Sequence, residues 1–108
     1  MTNPVFYGVT ATFPNTESAM GYVDWISAGV REVVNAGASS GKVVQLDSSD
    51  QGFRVETQYI FPDSKGLDRY TKSDLAARLK QEGMQKFGPV GVKFERRVGE
   101  ILANFILV

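Results

Sequence analysis

Four aromatic side chains and one arginine are the residues of this sequence best suited to hold a small molecule. The candidates for lining a ligand pocket are Tyr7, Tyr22, Trp25, Tyr59 and Arg96. Arg96 alternates with Phe94 and Val98 on the apolar side of a predicted strand, and a buried guanidinium needs a carboxylate or a ligand anion because its desolvation is otherwise costly. The alternative is that Arg96 pairs with Glu82 or Asp24 and that the aromatic residues are only core.

Other kinds of site are poorly supported. The chain has no Cys and no His, which excludes a disulfide framework, a Cys- or His-based zinc site and a serine triad as these are ordinarily built. Segments 37–43 and 47–52 superficially resemble a phosphate loop and a calcium loop, but both lack the required spacing. We interpret them as a helix end and a hairpin turn, and we predict no metal and no cofactor.

The charge balance bears on partners. Twelve Lys and Arg residues balance twelve Asp and Glu residues, whereas a nucleic-acid binder usually carries a basic field. No apolar run reaches the roughly 18 residues that a membrane span needs, and the first residues do not read as a secretory signal. We therefore expect no nucleic-acid partner, no membrane partner and a cytoplasmic location.

The elements that must position the candidate residues follow from apolar periodicity. Alternation with period two predicts strands over 5–13, 42–47, 53–61 and 92–98, and apolar residues at helical spacing predict one helix from residue 17 to Gly37 and a second from Ser64 to Phe87. The order strand, helix, strand, strand, helix, strand predicts one α+β domain, 1–108, with the ferredoxin-like βαββαβ fold and both helices on one face of an antiparallel sheet.

The two faces of this predicted sheet differ in polarity. An apolar face collects Tyr7, Val9, Phe13, Val55, Tyr59, Phe61, Phe94 and Val98, and we expect the helices to cover it. A polar face collects Thr10, Thr12, Arg54, Glu56, Gln58, Lys93, Glu95 and Arg97, whose opposite charges could pair between neighbouring strands. The polar face could be left in water or be covered by the sheet of a second subunit.

The end of the chain favours a partner. Residues 98–108 form a largely apolar C-terminal extension, in which every residue from Ile101 to Val108 except Asn104 is apolar. An uncharged, β-prone segment of this kind would promote aggregation if it stayed in water. We expect it to pack either on its own domain or in the interface with a partner.

Several short motifs, in this order, resemble an uncharacterised bacterial family of unknown function within the dimeric α/β-barrel superfamily of ferredoxin-like folds. They are Tyr22-Val23-Asp24-Trp25, Val43-Val44-Gln45-Leu46-Asp47, Arg54-Val55-Glu56-Thr57-Gln58-Tyr59, Leu67-Asp68-Arg69-Tyr70, Arg78-Leu79-Lys80-Gln81-Glu82-Gly83 and Phe94-Glu95-Arg96-Arg97-Val98. The resemblance implies a dimer whose sheets face each other and implies no reaction. Members often carry histidines where this chain has Gly29 and Leu75.

Three hypotheses of function follow. The first is a homodimer that binds a small ligand or has no catalytic role. The second is a cofactor-independent enzyme, similar to a monooxygenase or an isomerase, that acts on a small anionic or aromatic metabolite in a closed cavity beside Arg96. The third is a protein-interaction module that docks through an exposed tail.

Overall fold

The fold is a four-stranded antiparallel sheet with helices packed on one of its faces. The computed structural model describes residues 3–48, 50 and 52–106. Its elements in chain order are β1 (Val5–Phe13), α1 (Thr16–Asn35), β2 (Ser40–Gln45), β3 (Phe53–Phe61), α2 (Ser64–Thr71), α3 (Asp74–Phe87), a 3₁₀ turn (Gly88–Val90) and β4 (Lys93–Glu100). The predicted α+β ferredoxin-like architecture is confirmed. Predictions that involve Met1, Thr2, Ser49, Gln51, Leu107 and Val108 lie outside the described residues.

The strand order is β2–β3–β1–β4, so the first and third strands are central. Every neighbouring pair is antiparallel, and Tyr7 on β1 lies opposite Tyr59 on β3 and opposite Val98 on β4. Because side chains of a strand alternate between the faces of a sheet, this register places these three side chains on the same face. The division into an apolar and a polar face is therefore confirmed.

The helices begin at the side-chain caps that the sequence offers. Asn15 accepts a hydrogen bond from the backbone N–H of Ser18 (2.8 Å) at the start of α1, and Asp63 accepts one from Gly66 (2.7 Å) at the start of α2. The structure differs from the prediction in the second helical segment, which is two helices. Ser73 caps α3 by accepting from the N–H of Ala76 (3.2 Å), so the chain starts a new helix there.

The core lies between the helices and strands β1 and β3. Its buried members include Ala11, Phe13, Val33, Val55 and Phe61. In α1 the buried residues recur at helical spacing and form one stripe that faces the sheet. The helices thus cover the sheet from β1 to β2.

Strand β4 is the exception, and it corrects one expectation. Phe94 and Val98 lie on the predicted apolar face, but Val98 is 62% exposed and every residue of β4 is exposed. Within the described residues, the helices pack on β1, β2 and β3, whereas β4 contacts mainly β1. The helix layer covers little of this edge strand, so this side of β4 is largely open.

After β4 the chain continues as an extended tail. The N–H of Ile101 donates to the carbonyl of Pro4 (2.8 Å). Between residues 102 and 106 the large apolar side chains are in solvent, with Phe105 93% exposed. Among the described residues, no helix combines the length and the apolar character needed to cross a membrane.

Candidate functional site

A cavity of about 680 Å³ lies between the sheet and the helices, next to the uncovered strand β4. All five residues that the sequence analysis selected line it: Tyr7, Tyr22, Trp25, Tyr59 and Arg96. The cavity is not closed in the single chain, because its β4 side carries exposed residues. The closed cavity expected for an enzyme is therefore not present in one subunit.

The sheet supplies the floor of the cavity. Tyr7 and Val9 come from β1, Thr57 and Tyr59 from β3, and Phe94 and Arg96 from β4. Alternate residues of each strand contribute because only they point toward the helices. The register aligns them in rows, with Val9 opposite both Thr57 and Arg96.

Helices α1 and α3 supply the wall opposite the sheet. Trp25 of α1 packs against Gly83 of α3 so closely that a Cβ atom at Gly83 would lie 3.2 Å from the indole ring. The ring of Tyr22 lies 5.9 Å from that of Trp25 and 6.2 Å from that of Phe94, between centroids. These three rings form the first aromatic patch of the cavity, which links helix α1 to strand β4.

Three tyrosines form a second aromatic patch. Tyr7 and Tyr59 stack with their centroids 6.1 Å apart, and Tyr70 of α2 lies 6.2 Å from Tyr7 and 6.3 Å from Tyr59. Burial, with a smaller contribution from Tyr7, raises the pKa of Tyr70 to about 12, and burial also raises the pKa of Tyr59 and of Tyr22. The phenols of Tyr22, Tyr59 and Tyr70 are therefore uncharged at neutral pH and act as hydrogen-bonding groups on an apolar wall.

Arg96 lies on the β4 side of the cavity, where it is exposed. The pairing with Glu82 or Asp24 that the sequence left open is not formed, and among the described residues Arg96 has no ion-pair partner. Glu82 lies instead 3.7 Å from Arg78. Because no helix covers β4, the guanidinium keeps its contact with water without a carboxylate.

Sequence reasoning missed the contribution of α2 and α3 to this cavity. Tyr70, Leu79, Lys80 and Met84 also line it. Tyr70 follows the buried Leu67 by one helical turn, and Lys80 and Met84 are one turn apart beside the apolar stripe of α3. Such spacing places residues on one helix face but does not tell a cavity wall from a packed core.

The polar face of the sheet carries a second cluster of charged side chains, around Glu56. This carboxylate is 1% exposed and accepts hydrogen bonds from Thr10 (2.6 Å), Gln58 (2.7 Å) and the guanidinium of Arg97 (2.6 and 2.7 Å). Burial of Glu56 opposes its charge, but these hydrogen bonds and the charge of Arg97 outweigh burial and lower its pKa. Opposite charges thus pair on this face, but this pair joins β3 to β4 across the central strand β1, and not two neighbouring strands as expected.

Arg97 reaches Glu56 by crossing strand β1 at Gly8. Its guanidinium lies 5.6 Å from the ring centroid of Phe6, and a Cβ atom at Gly8 would lie 2.9 Å from that ring. The absence of a side chain at Gly8 thus leaves room for Phe6 beneath the ion pair.

Among the residues that the structure describes, no group of acidic side chains is arranged to hold a metal ion.

Comparison with known proteins gives the fold and no more. No family model matches the chain, and no curated protein matches it significantly. A dimeric ferredoxin-like protein from an uncultured marine organism superposes with a TM-score of 0.75 at 10% identity, covering 96% of this chain and 99% of that one. A second dimeric ferredoxin-like protein, also from an uncultured marine organism, superposes with a TM-score of 0.72 at 16% identity, covering 95% of this chain and 99% of that one.

A third similar structure is a protein from Deinococcus radiodurans that is provisionally named an antibiotic biosynthesis monooxygenase. It gives a TM-score of 0.72 at 8% identity, covering 96% of this chain and 98% of that one. Identities this low carry no statement about activity. Together with the strand order and the helix placement, the three structural similarities show that the chain has the α+β ferredoxin-like fold.

Proposed function

We propose that residues 1–108 form a single ferredoxin-like domain that works as a homodimer and binds a small organic ligand in the cavity between its sheet and its helices. The observation that carries this proposal is the cavity itself, which is about 680 Å³ in volume and walled by two aromatic patches. Ligand sites are typically clefts of roughly 300–1,000 Å³ with apolar and aromatic walls and a few polar groups. The five candidates from the sequence all belong to this wall, which supports their role in binding.

A neutral two-ring probe, 2-naphthylmethanol, tests this binding. We expect saturable binding by titration calorimetry and a change in the fluorescence of Trp25, the only tryptophan. Ala76→Phe adds a ring at a half-buried residue of the cavity wall and should abolish binding, whereas Ala28→Phe, the same change at an exposed residue of α1 that does not line the cavity, should not. Binding that survives Ala76→Phe, or no binding by the parent protein, would refute the cavity as a ligand site.

Three observations support the homodimer. Two of the similar structures are described as dimeric ferredoxin-like proteins. The charge of Glu56 is already neutralised by Arg97, so a second sheet can cover this part of the polar face without stranding a carboxylate. The tail exposes Leu102, Phe105 and Ile106, which a partner could bury.

Sedimentation at micromolar concentration tests the dimer. We expect twice the chain mass, and we expect deletion of residues 101–108 to weaken self-association or solubility. A monomer mass for the full chain would overturn the dimer, and an unchanged mass and solubility after the deletion would show that the tail is not needed for it.

Two alternatives each have an observation in their favour. A cofactor-independent enzyme of the monooxygenase or isomerase type is supported by the fold shared with the Deinococcus protein and by the aromatic cavity. A protein-interaction module is supported by the exposed tail. Consumption of a bound aromatic compound would favour the first, and a tail that stays accessible in the dimer would favour the second.

We also propose that the chain is a member of the uncharacterised bacterial family, which the motif resemblance supports. We further propose a cytoplasmic protein that needs no cofactor and binds no nucleic acid. The even balance of twelve basic and twelve acidic residues supports the absence of a nucleic-acid partner.

A further inference from the structure

The charges on the cavity wall all have one sign. Lys80 of α3 and Arg96 of β4 line the cavity, and the described lining residues include no Asp and no Glu. Tyr22, Tyr59 and Tyr70 add no negative charge to this wall at neutral pH, because burial raises the pKa of each of these three phenols above its ordinary value of 10.0. A cleft lined by one sign of charge, with low-dielectric walls, concentrates ligands of the opposite sign.

Arg96 has the free hydrogen-bonding capacity that an anion requires. Its neighbour in sequence, Arg97, lies on the other face of the sheet and is committed to Glu56 through short hydrogen bonds. Arg96 has no ion-pair partner among the described residues, and the side chains beside it on its face are Phe94 and Val98. A planar guanidinium in this position can bind a carboxylate through two parallel hydrogen bonds.

Arg96 lies between the two aromatic patches of the cavity, and this position determines where the apolar part of a bound anion would lie. The first aromatic patch reaches β4 at Phe94, which is opposite Ala11, and the second includes Tyr7, which is opposite Val98. Arg96 lies on β4 midway between Phe94 and Val98, and therefore between the two patches. A ligand whose acid group contacts Arg96 would therefore direct its apolar part into the cavity, between two surfaces that can stack on a ring.

From this arrangement we propose that the ligand is an aromatic carboxylate, whose acid group binds Arg96 at the β4 side of the cavity and whose ring lies between the Tyr22–Trp25–Phe94 patch and the Tyr7–Tyr59–Tyr70 patch. Lys80 adds a second positive charge. This inference rests on the proposed function, because it assigns the chemical class of ligand to the same cavity.

The test compares two probes that share a ring system, 2-naphthoate and the neutral 2-naphthylmethanol, by titration calorimetry on the full chain. Because hydrogen bonds to charged groups are stronger than neutral ones, we expect the acid to bind about tenfold tighter or more. In Arg96→Gln most of this preference should be lost, because the acid loses its guanidinium partner and only the charge of Lys80 remains. Arg31→Gln, which removes an exposed positive charge from α1, should keep the preference.

The outcomes separate the two proposals. Equal affinity for acid and alcohol in the parent protein, or a preference that is undiminished in Arg96→Gln, would overturn the inference and leave the cavity as a binding site if Ala76→Phe still abolishes binding. If neither probe binds the parent protein, both proposals fail. Circular dichroism of each variant shows whether the fold is kept, and a Lys80→Gln variant with a reduced preference would support the same electrostatic cause independently.

Discussion

Replacing Glu56 by Gln is expected to destabilise the fold, although the two side chains have nearly the same shape. Oε2 of Glu56 accepts from Thr10 and from Arg97, and Oε1 accepts from Gln58 and from Arg97. An amide has one acceptor oxygen and one NH₂ group. Whichever way the glutamine is oriented, its NH₂ group therefore faces Arg97 together with either Thr10 or Gln58.

The expected cost follows from the burial of this group. Glu56 is 1% exposed, so the NH₂ group that replaces one of its oxygens has little access to water, although Arg97, 63% exposed, does. A buried unsatisfied donor costs about 1–3 kcal/mol. We expect Glu56→Gln to lower the free energy of unfolding by about 2 kcal/mol and the melting temperature by roughly 10 °C for a domain of this size. The effect should shrink in acid. The folded pKa of Glu56 lies below its ordinary value of 4.5, so its contribution is complete above that pH and is lost as the pH falls through the folded pKa.

Urea unfolding followed by circular dichroism at a fixed protein concentration measures this cost. Glu95→Gln is the matched control, because Glu95 is an exposed carboxylate on the same face of the sheet. Thr10→Val should cost less in the Glu56→Gln background than in the parent protein, because the hydrogen bond that Thr10 donates to the carboxylate is then already absent. A cost for Glu56→Gln within about 0.5 kcal/mol of the control, the usual range for surface substitutions, would refute the reasoning.

Two further predictions concern the backbone and the tyrosines. Gly52→Ala should destabilise the protein by about 2 kcal/mol in urea unfolding, because its φ of +123° is strained for alanine and the new Cβ would overlap the carbonyl oxygen of Phe13; Gly21→Ala in α1, with only an ordinary contact to make, should be neutral or stabilising. The contribution of Tyr70 to the free energy of unfolding should be complete below pH 10 and be lost as the pH rises toward 12, because its pKa is raised from 10.0 to about 12. Spectrophotometric titration that gives an ordinary pKa for every tyrosine would contradict this.

The sequence by itself determined the order of the elements and the faces of the strands. In β1 the alternation of Tyr7, Val9 and Ala11 with the small or polar residues Gly8, Thr10 and Thr12 fixes which side chains point to the helices, because the side-chain period of a strand is two residues. The same alternation predicted that Glu56 and Arg97 share the polar face. Local patterns of this kind need no knowledge of distant contacts, and the element order then restricted the topology to very few choices.

Only the tertiary structure decided which apolar residues are buried. Val98 lies on the same predicted apolar face as Tyr7. It is nevertheless 62% exposed, because the helices leave the edge strand β4 largely uncovered. Likewise, Trp25, Tyr70 and Arg96 come from three different elements, and their meeting around one cavity depends on the distance between α1, α2 and the edge of the sheet. Helical and strand periods assign a side chain to a face of its own element, but the width of the opposing layer decides whether that face meets a core, a cavity or water.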